Sequence, residues 1–138
     1  MPYLSTKSRN GLAQAMVTLI HSGSTYSGPI IDIFDGSLPS DQDTTPSKTP
    51  LATITLPYPL FSTPSLGIVS FNQIVTAIVS KTGTAAWFRL YDKDKYPIFD
   101  GTISRIADTT ISDMKMDNLE LVQNGIATIA KIVLTFQR

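Results

Sequence analysis

Apolar residues recur along this chain with a period of two almost everywhere, and with the period of a helix only near the start. From residue 5 or 6 to 21, Leu12, Met16, Leu19 and Ile20 return at helical spacing, and Ala13 and Val17 widen the stripe. A helix is expected there, capped by Ser5, Thr6 or Ser8 and ended by Gly23, with Gly11 weakening its first turns. The stripe should lie across an open end or face of whatever the rest of the chain builds, or dock on a neighbouring subunit.

The remainder reads as strands, organised around residues 82–101. Residues 84–91 carry the two alternating sets Ala86, Phe88, Leu90 and Ala85, Trp87, Arg89, Tyr91, which face opposite ways. Asp92, Lys93, Asp94 and Lys95 supply a polar turn, and Tyr96 to Phe99 run back to Asp100-Gly101, so this stretch is a β-hairpin. Before it come a strand at 29–34, a second at 51–56 with one apolar face, and two strands or one bent strand at 66–71 and 73–79. Between Ile74 and Val79 both faces are apolar, so both are expected to be covered. After the hairpin, residues 102–107 and 109–116 read as short strands. A run at 119–122 then meets the turn Asn124-Gly125 and the longest strand pattern, 126–136. Strict alternation puts Thr128, Ala130, Ile132, Leu134 and Phe136 on one side of that strand, and Ala127, Ile129, Lys131, Val133 and Thr135 on the other. Phe88, Leu90, Ile132 and Leu134 are expected to share one core.

About eight short strands at this spacing, with one helix, define an all-β fold: a β-sandwich, with jelly roll the favoured connectivity and an N-terminal α-helix. Two stretches fall outside the pattern. Residues 37–50 hold Pro39, Pro46 and Pro50 among Ser, Thr, Asp and Gln, and are expected to run over the surface as a mobile loop that orders against neighbours. Pro57, Pro59 and Pro64 bracket Tyr58, Leu60 and Phe61 in an extended apolar segment suited to an edge or corner.

Composition narrows the function classes. The chain has 138 residues, the usual size of one domain, and no cysteine, so neither disulfides nor thiolate metal ligands hold it together. Eleven basic and eleven acidic residues cancel, leaving no global field to draw in a nucleic acid or an anionic membrane. Only 16% of residues are charged against 42% hydrophobic, so some apolar surface is expected to meet a partner. No apolar run approaches the roughly 20 residues of a membrane span, and the first residues lack the basic-then-hydrophobic order of a secretory signal.

Candidate chemistry is sparse. His21 is the only histidine and falls at the helix end, where an imidazolium would complement the dipole; no Gly-x-Ser-x-Gly accompanies it. Asp92 and Asp94 alternate like calcium ligands, but the glycine and glutamate of a calcium loop are missing, and a solvated turn is expected. Asp32, Asp35, Asp41 and Asp43 surround a loop without a spacing that selects a cation. Trp87, Phe88, Tyr91 and Tyr96 have no basic cluster beside them, so core packing is expected rather than base stacking. No catalytic residue, cofactor or metal is assigned.

Four segments carry a resemblance: residues 33–39 (IFDGSLP), 51–56 (LATITL), 82–90 (TGTAAWFRL) and 99–103 (FDGTI). In this order they resemble a family of small tailed-bacteriophage structural proteins, similar to the jelly-roll cement proteins that reinforce some phage heads. The chain departs from that pattern at residues 92–96, where the family tends to have a glycine-containing turn, and in the length of its proline-rich loop. The resemblance implies a non-enzymatic virion protein, made in the host cytoplasm and placed on the capsid surface as a cement or decoration protein. Its partners would be the phage major capsid protein and further copies of itself, as a dimer or trimer. The alternative is a tail, neck or receptor-binding fibre component that binds carbohydrate. The expected contact residues are Pro2, Tyr3 and Leu4 of the N-terminal arm, and Tyr58, Leu60 and Phe61.

Overall fold

The computed structural model describes residues 3–57, 63–71 and 73–135. Helix α1 spans Thr6–Ile20; the Ser5 hydroxyl accepts the Ser8 amide at 3.1 Å as its N-cap, and Gly23, at φ 102°, turns the chain away after its last turn. Among the described residues ten strands follow: β1 (Ile30–Phe34), β2 (Ala52–Thr55), β3 (Ile68–Phe71), β4 (Val75–Ile78), β5 (Gly83–Thr84), β6 (Trp87–Tyr91), β7 (Pro97–Arg105), β8 (Met114–Met116), β9 (Glu120–Leu121) and β10 (Ile126–Thr135). The chain is all-β with one N-terminal helix.

Its two layers are halves of one curled sheet in the order β2-β1-β6-β7-β8-β10-β3, with β4 also paired to β10. β7 makes the curl possible: its first half pairs antiparallel with β6, and its second half runs parallel to β8. The expected hairpin is therefore β6–β7, with a strand long enough to serve both layers. The parallel β7–β8 contact is an addition to the antiparallel ladders from which jelly rolls are built. Curling brings β4 beside β2, where the Leu51 carbonyl accepts the amides of Ser80 at 2.8 Å and Lys81 at 3.3 Å.

One stripe per strand fills the concave side. Ile31 and Ile33, Ala52 and Ile54, Val69 and Phe71, Phe88 and Leu90, and Met114 and Met116 are all sealed into it. Phe88, Leu90, Ile132 and Leu134 share this core, as the alternation requires. Strict alternation fails along β10, however. The ladder with β8 slips between Ile129 and Lys131, a bulge that moves the inward set from Ala127 and Ile129 to Ile132 and Leu134. Both halves of β10 thus present their aliphatic residues to one core, each against a different neighbour: β4 pairs with 126–129 and β3 with 132–135.

The helix lies across the concave side. Ala13 and Ile20 are buried and Met16 and Val17 pack on the core, a stripe narrower than expected, because Leu12 and Leu19 point outward and are 50% and 53% exposed. At one end Arg9 donates to the Leu66 carbonyl and the Gly67 amide to Asn10. At the other, the β6–β7 turn is tied to the connector after the helix: Asp94 accepts the Ser24 and Thr25 amides, each at 3.0 Å, and Asp92 accepts those of Asp94 and Tyr96. The two acids read as a solvated turn are thus a clasp between helix and sheet.

Two other expectations need correction. The run at 119–122 does not form a hairpin with β10. β9 is drawn to β5, and the Asn124-Gly125 turn instead delivers β10 to β4, with Asn124 donating to the Val79 carbonyl. Nor are both faces of 74–79 covered: Ile74 and Ile78 stand outward.

Candidate functional site

The convex side of the first half-sheet holds the densest polar chemistry in the described chain. Phe88 and Leu90 face the core, so Trp87, Arg89 and Tyr91 face the other way, and the loop of residues 35–50 folds down over them. Trp87 stacks on Phe34 at 4.3 Å between ring centroids and donates its indole N–H to the Asp35 carbonyl. Arg89 lies opposite Asp100 in the β6–β7 ladder, and both side chains are 1% exposed. The guanidinium grips the carboxylate with two hydrogen bonds, at 2.6 Å through Nε and 3.0 Å through Nη2. Its remaining reach goes to the loop: Nη1 donates to the Thr44 carbonyl at 2.6 Å and Nη2 to that of Asp41 at 3.3 Å.

Residues 37–50, expected as a mobile loop that orders against neighbours, therefore have an anchor within the chain itself. A buried arginine of the same chain pins them, helped by the exposed Lys48–Asp35 pair at 3.2 Å. Within the loop, Asp41 accepts the Thr44 hydroxyl and the Asp43 amide, and these bonds hold its carboxyl below the usual range. The proline-rich composition hid the anchor, which sits 45 residues away from Thr44. The readable signal was a charged residue in an otherwise aromatic set, with an acid across the hairpin.

Under the loop lies a half-open cleft of about 350 Å³, lined by Asp32, Phe34, Pro46, Arg89, Tyr91 and Pro97 among others. On its floor Asp32 accepts the Thr53 hydroxyl at 2.6 Å, and the Tyr91 phenol lines the same cleft. Burial, and then the charge of Asp32, push the Tyr91 phenol up to about 12. It stays protonated well above neutrality and is no base there.

This shift predicts an alkaline limit. The folded state disfavours ionised Tyr91, so its contribution is complete below the unfolded value of about 10 and is lost as pH rises towards 12, amounting to about 2–3 kcal/mol. In Tyr91→Phe, stability measured by urea unfolding should be flatter across that alkaline window than in the parent. An unchanged alkaline slope would show that Tyr91 does not carry it.

The expected contact residues are only partly placed. Tyr3 is 84% exposed and Leu4 is half-buried ahead of the helix; Pro2, Tyr58, Leu60 and Phe61 lie outside the described residues. Trp87 and Tyr91 are buried, so neither presents a ring face for stacking. His21 is half-buried with Nδ1 against the Val17 carbonyl at 2.9 Å, and burial holds its pKa below the usual value, against the imidazolium expected at the helix end. Among the described residues, no group of three or more His, Cys, Asp or Glu side chains is placed to hold a metal ion, and no helix is long and apolar enough to cross a membrane.

Among the exposed apolar side chains of the described surface, which also include Leu66, Tyr96, Ile106 and Ile111, two groups lie at the helix and at the β4–β10 ladder. One is the outer side of α1, with Leu12 and Leu19 beyond Tyr3. The other is the start of the β4–β10 ladder, with Ile74, Ile78, Val122 and Ile126. Met16, on the inward side of the helix, lines a hollow with Leu134, near the end of β10 away from Ile126. No protein-family model, no curated protein and no solved structure matches this chain.

Proposed function

We propose that this protein is a non-enzymatic structural component of a bacteriophage virion, a cement or decoration protein that stabilises the head. The observation that carries the reading is the pair of separate apolar surfaces on a small β body of zero formal charge. A single surface serves a binary complex, whereas two allow a subunit to bridge, and bridging is what a cement protein does. The partners follow: the major capsid protein on one surface, with a further copy of the chain on the other.

Modest affinity per contact suffices. A subunit held to one coat protein meets the next at high effective concentration, so a lattice of weak contacts becomes cohesive. Binding through apolar area depends weakly on salt, unlike attraction to phosphate or lipid head groups. The concealed rings of Trp87 and Tyr91 favour this reading over a carbohydrate-binding tail component.

Heads assembled without the protein should release their DNA at lower temperature, and under weaker osmotic shock, than complete heads. Adding back the purified protein should restore them at both low and high salt. Equal robustness of stripped and complete heads, or location of the protein only at the tail, would overturn the reading.

A further inference from the structure

Of the four acids around the proline-rich loop, Asp35 pairs with Lys48, Asp41 accepts the Thr44 hydroxyl, and Asp43 is exposed. Asp32 differs from all three, because it is 4% exposed and lines the cleft of about 350 Å³ under the loop. Other acids sunk as deeply are compensated. Asp100 has the Arg89 guanidinium, and Asp92 accepts the amides of Asp94 and Tyr96. Asp32 accepts the Thr53 hydroxyl at 2.6 Å on one oxygen, and no ion pair among the described residues includes it. A carboxylate offers about four acceptor positions, and a buried charge is costly until a counter-charge meets it.

We infer that this cleft binds a primary alkylammonium group, with Asp32 as its counter-ion. Phe34, Tyr91, Pro46, Pro50 and Pro97 wall the approach to the carboxylate, an apolar sleeve that suits a run of methylenes and limits screening by water. An ammonium brings three donors to the acceptor positions that Thr53 leaves open. A guanidinium fork grips both oxygens of a carboxylate at once, and here one already holds Thr53, so the compact ammonium fits better. Lys48 and Lys95 also line the cleft, with the Lys95 Nζ 5.6 Å from the centre of the Tyr91 ring. Their charges oppose a ligand that is positive at both ends. A lysine side chain of a partner protein, whose outer end is neutral backbone, is therefore a better occupant than a free diamine. Because Thr45 and Pro46 belong to the loop, an occupied cleft should also hold the loop down.

The inference does not rest on the virion reading, and its test needs no phage. In two-dimensional NMR of the purified full chain, n-butylammonium chloride should shift the amides of residues 32–34, 43–50 and 89–91 saturably, with a dissociation constant of about 1 mM. Nα-acetyl-lysine methylamide should bind at least as well and putrescine more weakly, while sodium butyrate and sodium chloride should not reproduce the shifts. Asp32→Asn retains an acceptor for Thr53 and should weaken butylammonium by at least about tenfold. Lys95→Asn, a residue type that tolerates the positive φ of 64° there, should tighten it. Should Asp32→Asn not fold by circular dichroism, two measurements on the parent decide instead: the contrast of butylammonium with butyrate, and protection of residues 37–50 from proteolysis by butylammonium. The site is overturned by absence of saturation up to about 50 mM, by equal shifts from butyrate or sodium chloride, or by an Asp32→Asn variant that binds as well as the parent. Tighter binding of putrescine than of the lysine probe would overturn the lysine side chain as occupant.

Discussion

Asp100→Ala should lower the stability of the protein by about 3–5 kcal/mol and open residues 41–44 to proteolysis while the remainder still resists. Arg89 is 1% exposed and has exchanged its hydration for one carboxylate and two loop carbonyls. Taking the carboxylate away leaves a buried guanidinium with only carbonyl dipoles, the situation in which breaking a buried pair is most damaging. The charge then has two ways out. It can draw water into the cleft, or it can swing outward and drop Thr44 and Asp41; either route loosens the loop. A variant replacing both partners with apolar groups, Arg89→Met with Asp100→Leu, separates the two consequences. It should recover much of the stability, since the ion pair itself contributes little net, yet remain open to proteases because nothing then binds the loop carbonyls. Urea unfolding and limited proteolysis read these separately. If Asp100→Ala is as stable and as resistant as the parent, the anchor does not hold the loop.

That anchor marks where the sequence stopped being legible. The all-β class, the N-terminal helix and the β6–β7 hairpin follow from periodicity over local stretches, and the structure has each of them. Local patterning has no access to a tether between Arg89 and Thr44, because composition describes the loop while the bond depends on where β6 turns its back. For the same reason Leu12 and Leu19 looked like core residues: they satisfy helical spacing, but the concave side has room only for the narrower stripe of Ala13, Met16, Val17 and Ile20. Asn124-Gly125 is a turn as its residues demand, yet the strand it serves pairs with β4, chosen by sheet curl rather than by the turn. Which apolar residues stay exposed was the least legible, since an outward isoleucine and an inward one are identical in sequence.

β10 offers the sharpest test of where pattern and structure part. Ile129→Ala and Ile132→Ala should each cost about 2–5 kcal/mol, because both side chains are fully buried and neither cavity can refill from the sheet. Strict alternation allows only one of them to be inward, since an odd separation places them on opposite faces. The bulge between Ile129 and Lys131 removes the conflict: one extra residue on β10 re-aims the strand, so that Ile129 reaches the core beside β4 and Ile132 beside β3. Val133→Ala supplies the contrast, because Val133 is on the outer side and only half-buried, and its loss should cost less than about 1 kcal/mol. The bulge also predicts the effect of a deletion. Removing Ala130 should cost less than truncating Ile129 or Ile132, because the extra residue of the ladder is then gone, Ile129 and Ile132 stand two residues apart, and strict alternation alone points the Ala127–Ile129 and Ile132–Leu134 pairs to one core. Chemical unfolding of these variants decides it: a large loss at only one of positions 129 and 132 would mean that β10 runs straight, and an Ala130 deletion that unfolds the protein would mean that the extra residue is not what sets the phase of the two halves.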